Sequence, residues 1–103
     1  MNKGEFIDRL ADKTSVTKKE ARQLLDSVLD LVQETLLQGD EVKLVGFGKF
    51  AVRARKASSR INPQTKLPIE VEAKVVPLFR PGKELKRQVE KKLKVTPKGV
   101  AKV

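Results

Sequence analysis

The side chains in this sequence that stand in positions to do chemistry are mostly cations. Arg53 and Arg55 lie two apart in FAVRAR, Arg60 and Lys66 flank Asn62-Pro63-Gln64-Thr65, and Arg80, Lys83 and Lys86 crowd FRPGKELK. Clusters of this kind attract anions. Other chemistries lack their usual residues. There is no His and no Cys, which removes the commonest general base, the commonest metal ligand and any thiolate site. No paired acidic motif stands out among the carboxylates, so no enzymatic activity, cofactor or small-molecule substrate is expected. The stretch RINPQTKLP, residues 60–68, raises a different question. Pro63 fixes its own φ and cannot donate a ladder hydrogen bond. At the tip of a long hairpin it is either an ordinary turn former or an apolar wedge.

The distribution of charge narrows the partner. The 103 residues carry 23 Lys and Arg against 13 Asp and Glu, a net charge of +10. Residues 1–48 hold seven basic and nine acidic side chains, whereas residues 49–103 hold sixteen and four. The first half therefore reads as a folded base and the second as an anion-binding surface. Nucleic acid is the first expectation, with anionic membrane surfaces or acidic proteins second. A chain of this length implies one modest domain.

The elements that must position these cations follow from periodicity. Asn2 with Glu5, and Thr17 with Glu20, have the spacing of capping boxes at two helix starts. Phe6, Ile7, Leu10 and Ala11 mark one face of a first helix of about three turns. Ala21, Leu24, Leu25, Val28, Leu31, Val32 and Leu36 form a wide stripe on a second, and Gly39 supplies its stop. The period then changes to two. Val42 and Leu44 alternate, and Gly46 and Gly48 bracket Phe47 in a tight turn with a buried ring. Beyond it Lys49, Arg53 and Arg55 share one strand face, while Phe50, Val52 and Ala54 share the other. Phe47 and Phe50 read as core rather than as base-stacking platforms. IEVEAKVV predicts another strand with Ile69, Val71, Ala73 and Val75 on one face. The segment between has no core pattern, which predicts a two-stranded arm over about 53–75 with its tip at about 60–68. A last helix is predicted from Pro81, and residues 95–103 read as a basic flexible tail following a domain of residues 1–94. A core of fewer than 80 residues cannot cover the second helix, so an obligate homodimer is predicted.

Together, VGFGKFAV, the basic strand, NPQT and FRPGKELK resemble the bacterial histone-like, DNA-bending family of HU and integration host factor, and HU most nearly. Asn2, Lys3, Gly46 to Phe50, Asn62-Pro63-Gln64-Thr65, Phe79-Arg80 and Gly82-Lys83 carry the resemblance, which runs without gaps from Met1 to about Glu90. It implies an α+β fold: an intertwined dimer with a helical base, a short antiparallel sheet and two extended β-ribbon arms. The arms of this family wrap double-stranded DNA in the minor groove, and the tip proline inserts between base pairs. By resemblance Pro63 is the wedge, Asn62, Gln64 and Thr65 position it, and Lys3, Arg53, Arg55, Arg80, Lys83 and Lys86 neutralise phosphates. The tip departs from the family, which usually has Gly-Arg before Asn-Pro and Gly after Thr. Here those positions are Arg60, Ile61 and Lys66, still included among the DNA-contacting residues. Moving the arginine back by one turns it to the opposite strand face. Ile61 adds apolar contact beside the wedge or packs against Leu67. Lys66 replaces the residue best suited to positive φ.

The residues leave some alternatives open. Arg80 and Lys83 stand where the helix macrodipole disfavours cations, which a phosphate at the helix start would explain; a solvated basic patch is the plainer account. Arg53 and Arg55 could pair with Glu70 or Glu72 across the ribbon. Lys91, Lys92, Lys94, Lys98 and Lys102 either extend the DNA contact or solubilise the tail. Competing functions are a sequence-specific, heterodimeric bender and a basic module for RNA or acidic proteins. A membrane role is disfavoured because no lipophilic helix face is flanked by the cations. MNKGEFIDRL lacks a signal-peptide run, so a cytoplasmic, nucleoid-associated location is expected.

Overall fold

The computed structural model describes residues 1–103. In chain order its elements are α1 (Lys3–Thr14), α2 (Lys18–Leu37), β1 (Val42–Leu44), β2 (Gly48–Arg55), β3 (Ser58–Ile61), β4 (Pro68–Val71), β5 (Lys74–Pro81), α3 (Lys83–Lys92), β6 (Leu93–Thr96) and β7 (Gly99–Lys102). Both helix starts are capped as their spacing predicts. The Asn2 side chain accepts from the Glu5 N–H at 2.9 Å and the Thr17 hydroxyl from the Glu20 N–H at 3.1 Å. Each bond satisfies one donor that the first helical turn leaves unpaired. At the far end of α2 the Gly39 N–H donates to the Leu36 carbonyl. Ile7, Ala11 and Ala21 pack where the two helices meet, with Leu10, Val16 and Leu25 around them.

That contact is nearly all the interior the single chain has. Only four of its 103 residues are buried. Along α2, Leu24, Val28, Leu31 and Leu37 stay more than half exposed, so the apolar stripe seen in the sequence is present but mostly uncovered. The helices are also linked by Lys3–Asp26 at 2.7 Å and Lys18–Asp8 at 3.4 Å. These pairs are exposed and add little stability.

Three strands form one antiparallel sheet in the order β1-β2-β5. The β1–β2 turn is closed by the Phe47 N–H on the Leu44 carbonyl, with Gly46 at φ +86°, a geometry that most side chains resist. The Phe47 ring is not buried as the sequence suggests but 47% exposed. It stacks obliquely on Phe79 at 5.2 Å between centroids, and Phe79 on Phe50 at 4.9 Å. Gly48 is the close-approach residue. A Cβ there would lie 2.6 Å from the Phe79 ring and 2.7 Å from the Arg80 carbonyl oxygen.

The arm begins later than the sequence predicts. β2 pairs with β5 from Gly48↔Pro81 through Arg55↔Lys74, so residues 53–55 and 74–75 still belong to the main sheet. The free ribbon is β3 with β4, in register from Ser58↔Val71 to Ile61↔Pro68. IEVEAKVV is accordingly two strands, interrupted at Glu72 and Ala73. The residues at the break, Lys56-Ala57 on one side and Glu72-Ala73 on the other, lack the branched or aromatic side chains that favour strands. The ribbon makes the molecule long: the Cα radius of gyration is 19.0 Å, against about 13 Å for a compact chain of similar length.

Two expectations at the C-terminal end need correction. Pro81 ends β5, an edge strand that tolerates proline, and α3 starts two residues later with Gly82 as its cap. The Gly82 N–H donates to the Phe47 carbonyl, which keeps it tied to the sheet. Residues 95–103 are also not an unstructured tail. β6 and β7 pair from Leu93↔Lys102 to Thr96↔Gly99 across a Pro97-Lys98 turn. Pro97 and Gly99 are turn formers here, whereas by composition alone they resemble a linker.

Replacing Gly48 by Ala should destabilise the protein by roughly 1–3 kcal/mol through overpacking against the Arg80 backbone. Thermal unfolding checks this, and an unchanged melting temperature would show that the Phe79–Gly48 approach is dispensable.

Candidate nucleic-acid interface

The pairing of β2 with β5 sorts side chains onto two faces. Residues directly opposite in an antiparallel pair share a face, so Lys49, Arg53 and Arg55 lie with Arg80, Val76 and Lys74. Phe50, Val52 and Ala54 lie on the other face with Phe79, Pro77 and Val75. The first face carries the cations, with Ala51, Leu78 and Val76 among them, and the second is apolar.

The cationic face carries an electrostatic conflict. Lys49 is directly opposite Arg80, and Arg55 directly opposite Lys74. Like charges so placed repel. The chain's ion pairs engage Lys3, Lys18, Lys49 and Arg87. Of the two opposed pairs only Lys49 has a carboxylate, Glu41 at 3.2 Å. Arg53 and Arg55 pair with neither Glu70 nor Glu72, because their cross-strand neighbours are Val76 and Lys74. Where the sheet gives way to the ribbon, an open depression of about 700 Å³ is lined by Arg53, Arg55, Lys56, Arg60 and Lys74, with Glu72 its one acidic residue. Lys56 and Lys74 carry no motif or periodicity that marks them in the sequence. Their signal is the register, which periodicity alone does not supply.

The tip is built around Asn62. Its N–H donates to the Leu67 carbonyl at 2.9 Å, and its own carbonyl accepts from the Lys66 N–H at 2.7 Å. Its side-chain oxygen accepts from the N–H groups of Gln64 at 2.8 Å and Thr65 at 3.4 Å. The Thr65 hydroxyl accepts from the Leu67 N–H at 3.4 Å. The result is one tight turn capped by Asn62, with Pro63 at the position where a missing N–H costs nothing. Pro63 is exposed. Lys66 adopts φ +55°, so the position where the family usually has glycine keeps a left-handed backbone. Ile61 is opposite Pro68 rather than Leu67, and it is 72% exposed.

The third group flanks the start of α3. Gly82 provides no side-chain cap, and Arg80, Lys83 and Lys86 are all exposed around it. Lys3 stands apart in kind: it lies on the helical hairpin, with its ammonium held by Asp26.

An α+β chain with a helical hairpin, a sheet cationic on one face and a stiff-tipped basic ribbon defines a class of proteins that present charge to a polyanion. The comparisons make this specific. The family model for bacterial DNA-binding proteins matches residues 1–90. DNA-binding protein HU of Thermotoga maritima is 45% identical over 89 residues, covering 86% of this chain and 99% of its own. HU 1 of Bacillus subtilis is 46% identical over 89 residues, covering 86% and 97%. Among solved structures, an Anabaena HU–DNA cocrystal structure superposes with a TM-score of 0.80 at 46% identity, covering 87% of this chain and 98% of that one. HU from Thermotoga maritima superposes with a TM-score of 0.63 at 37% identity, covering 87% and 100%. The chain belongs to the HU and integration host factor family of histone-like DNA-binding proteins, which are architectural and not enzymatic.

Replacing Asn62 by Ala should remove both side-chain caps of the tip, a loss of about 0.5–2 kcal/mol of local stability. Amide exchange at Gln64 and Thr65 should accelerate while that of the helical core is unchanged. Equal protection at the tip would mean that the backbone bonds alone hold it.

Proposed function

We propose that this chain is an architectural protein that binds duplex DNA with little sequence preference, bends it and organises the nucleoid as a homodimer in the cytoplasm. The observation that carries the reading is the opposed cations of β2 and β5, continuing into a ribbon whose tip exposes a proline. Phosphates between Lys49 and Arg80, and between Arg55 and Lys74, would turn two repulsions into bridged contacts. Arg53, Arg60, Lys83 and Lys86 add neutralising charge, and Lys3 joins them if DNA displaces it from Asp26. In this reading the arm lies in the minor groove, whose donor and acceptor pattern is degenerate. Pro63 enters a base step as the wedge, with Ile61 and Lys66 beside it and Asn62, Gln64 and Thr65 holding its orientation. A rigid apolar ring suits this because it offers no polar group that would need a partner between bases.

The apolar side supports the dimer. A groove of about 610 Å³ lies between α2 and the sheet, lined by Leu29, Val32, Leu36, Leu37, Val52, Val75, Val76 and Pro77. With so few residues buried in one chain, a second copy is the occupant that would complete the core and set two arms on one base.

Binding should weaken with salt at a log–log slope of roughly −0.9 per phosphate neutralised. Pro63→Ala should lose most of the bending seen by fluorescence transfer on gapped duplex while keeping most of its low-salt affinity; equal bending would remove the wedge role. Strong preference for one sequence over random duplex would instead indicate a site-specific bender. The melting temperature should fall on dilution, as for a fold that exists only as a dimer; a concentration-independent value would contradict the dimer.

A further inference from the structure

The family match ends at residue 90, and the 13 residues beyond it form a structured, uniformly basic addition. They contain Lys91, Lys92, Lys94, Lys98 and Lys102 and no Asp or Glu. None of the five lysines takes part in an ion pair. The segment is a hairpin that follows directly on α3: its ladder extends one rung beyond the strands, with the Val103 N–H donating to the Lys92 carbonyl at 2.8 Å. The register puts Lys94 and Lys102 on opposite faces, with Lys98 in the turn. The hairpin therefore offers positive charge on both sides and at its end.

Packing does not account for this arrangement. Val95 is 91% exposed and Val100, its cross-strand partner, is also largely exposed. A two-stranded hairpin is marginal in water by itself, and its lysines repel one another with no acid to relieve them. Its position, by contrast, suits a polyanion. α3 rises about 15 Å over its ten residues, and the strands after it reach about 13 Å more. The basic groups at the start of α3 and those of the hairpin are thus separated along the chain by no more than about 30 Å. That length compares with a run of duplex in which each strand carries a phosphate about every 3.4 Å.

We infer that the β6–β7 hairpin is a second DNA-contacting element, which grips the phosphate backbone of duplex flanking the bend and lengthens the footprint beyond that of the arms. This rests on the DNA-bending reading above and extends it to residues outside the family match. Its contacts are sequence-independent charge neutralisation, so its signature is salt dependence and site length, not bending.

The test compares the full chain with its Lys94→Gln/Lys98→Gln/Lys102→Gln variant on two gapped duplexes, one just long enough for the arms and one extended on both sides. On the long duplex the variant should lose up to about 0.9 from the log–log salt slope for each lysine, roughly 2.7 per protomer. On the short duplex the two proteins should have the same slope and the same bend. The replaced side chains are exposed, so equal melting temperatures verify folding. Equal slopes on the long duplex, with wild-type binding intact, would overturn the hairpin contact and leave the arm reading standing. Absence of salt-dependent binding by the wild type to either duplex would instead overturn the DNA-bending reading itself.

Discussion

The antiparallel pairing of β2 with β5 is the constraint on which the other surfaces of this protein depend. Eight residues of each strand are in register, and the period of two sends every basic residue to one face, beside Ala51, Val76 and Leu78, and leaves the other face wholly apolar. A slip by one residue would exchange the faces of one strand and destroy both surfaces together. Gly48 helps hold the register. Its missing side chain leaves room for the Phe79 ring, which contacts Phe47 and its direct cross-strand partner Phe50. Aromatic contacts of this kind add about 0.5–1.5 kcal/mol each beyond burial, which is substantial for a chain with so small a core.

Assembly and recognition are therefore coupled through one ladder of hydrogen bonds. Its apolar side, with the exposed stripe of α2, is a surface that water disfavours. Its cationic side is a surface that neighbouring charges disfavour. A second copy would relieve the first and a polyanion the second.

The ribbon tip illustrates a local cost held by local bonds. A left-handed backbone at a residue with a side chain costs about 1–2 kcal/mol, and Lys66 adopts it. The turn tolerates this because Asn62 and Thr65 supply side-chain acceptors to three backbone N–H groups within six residues. The geometry at residue 66 is thus held by the turn, and the lysine adds charge at it.

The sequence by itself determined the helical hairpin, its caps, the change of period after Gly39, the concentration of charge in the second half and the family. These are written in short-range patterns that each element obeys alone. The extent of the arm, the start of α3 and the C-terminal hairpin were not legible in it. Each depends on a competition between neighbours: whether Arg55 finds Lys74 across the sheet, whether Pro81 stays at a sheet edge, whether Val95 meets Val100. Local propensity does not encode such pairings, because they are set by register. For the same reason the opposed cations, with Lys56 and Lys74 among the arginines, were decided only by the tertiary structure. Composition places positive charge in a segment, but only strand pairing decides which charges face each other.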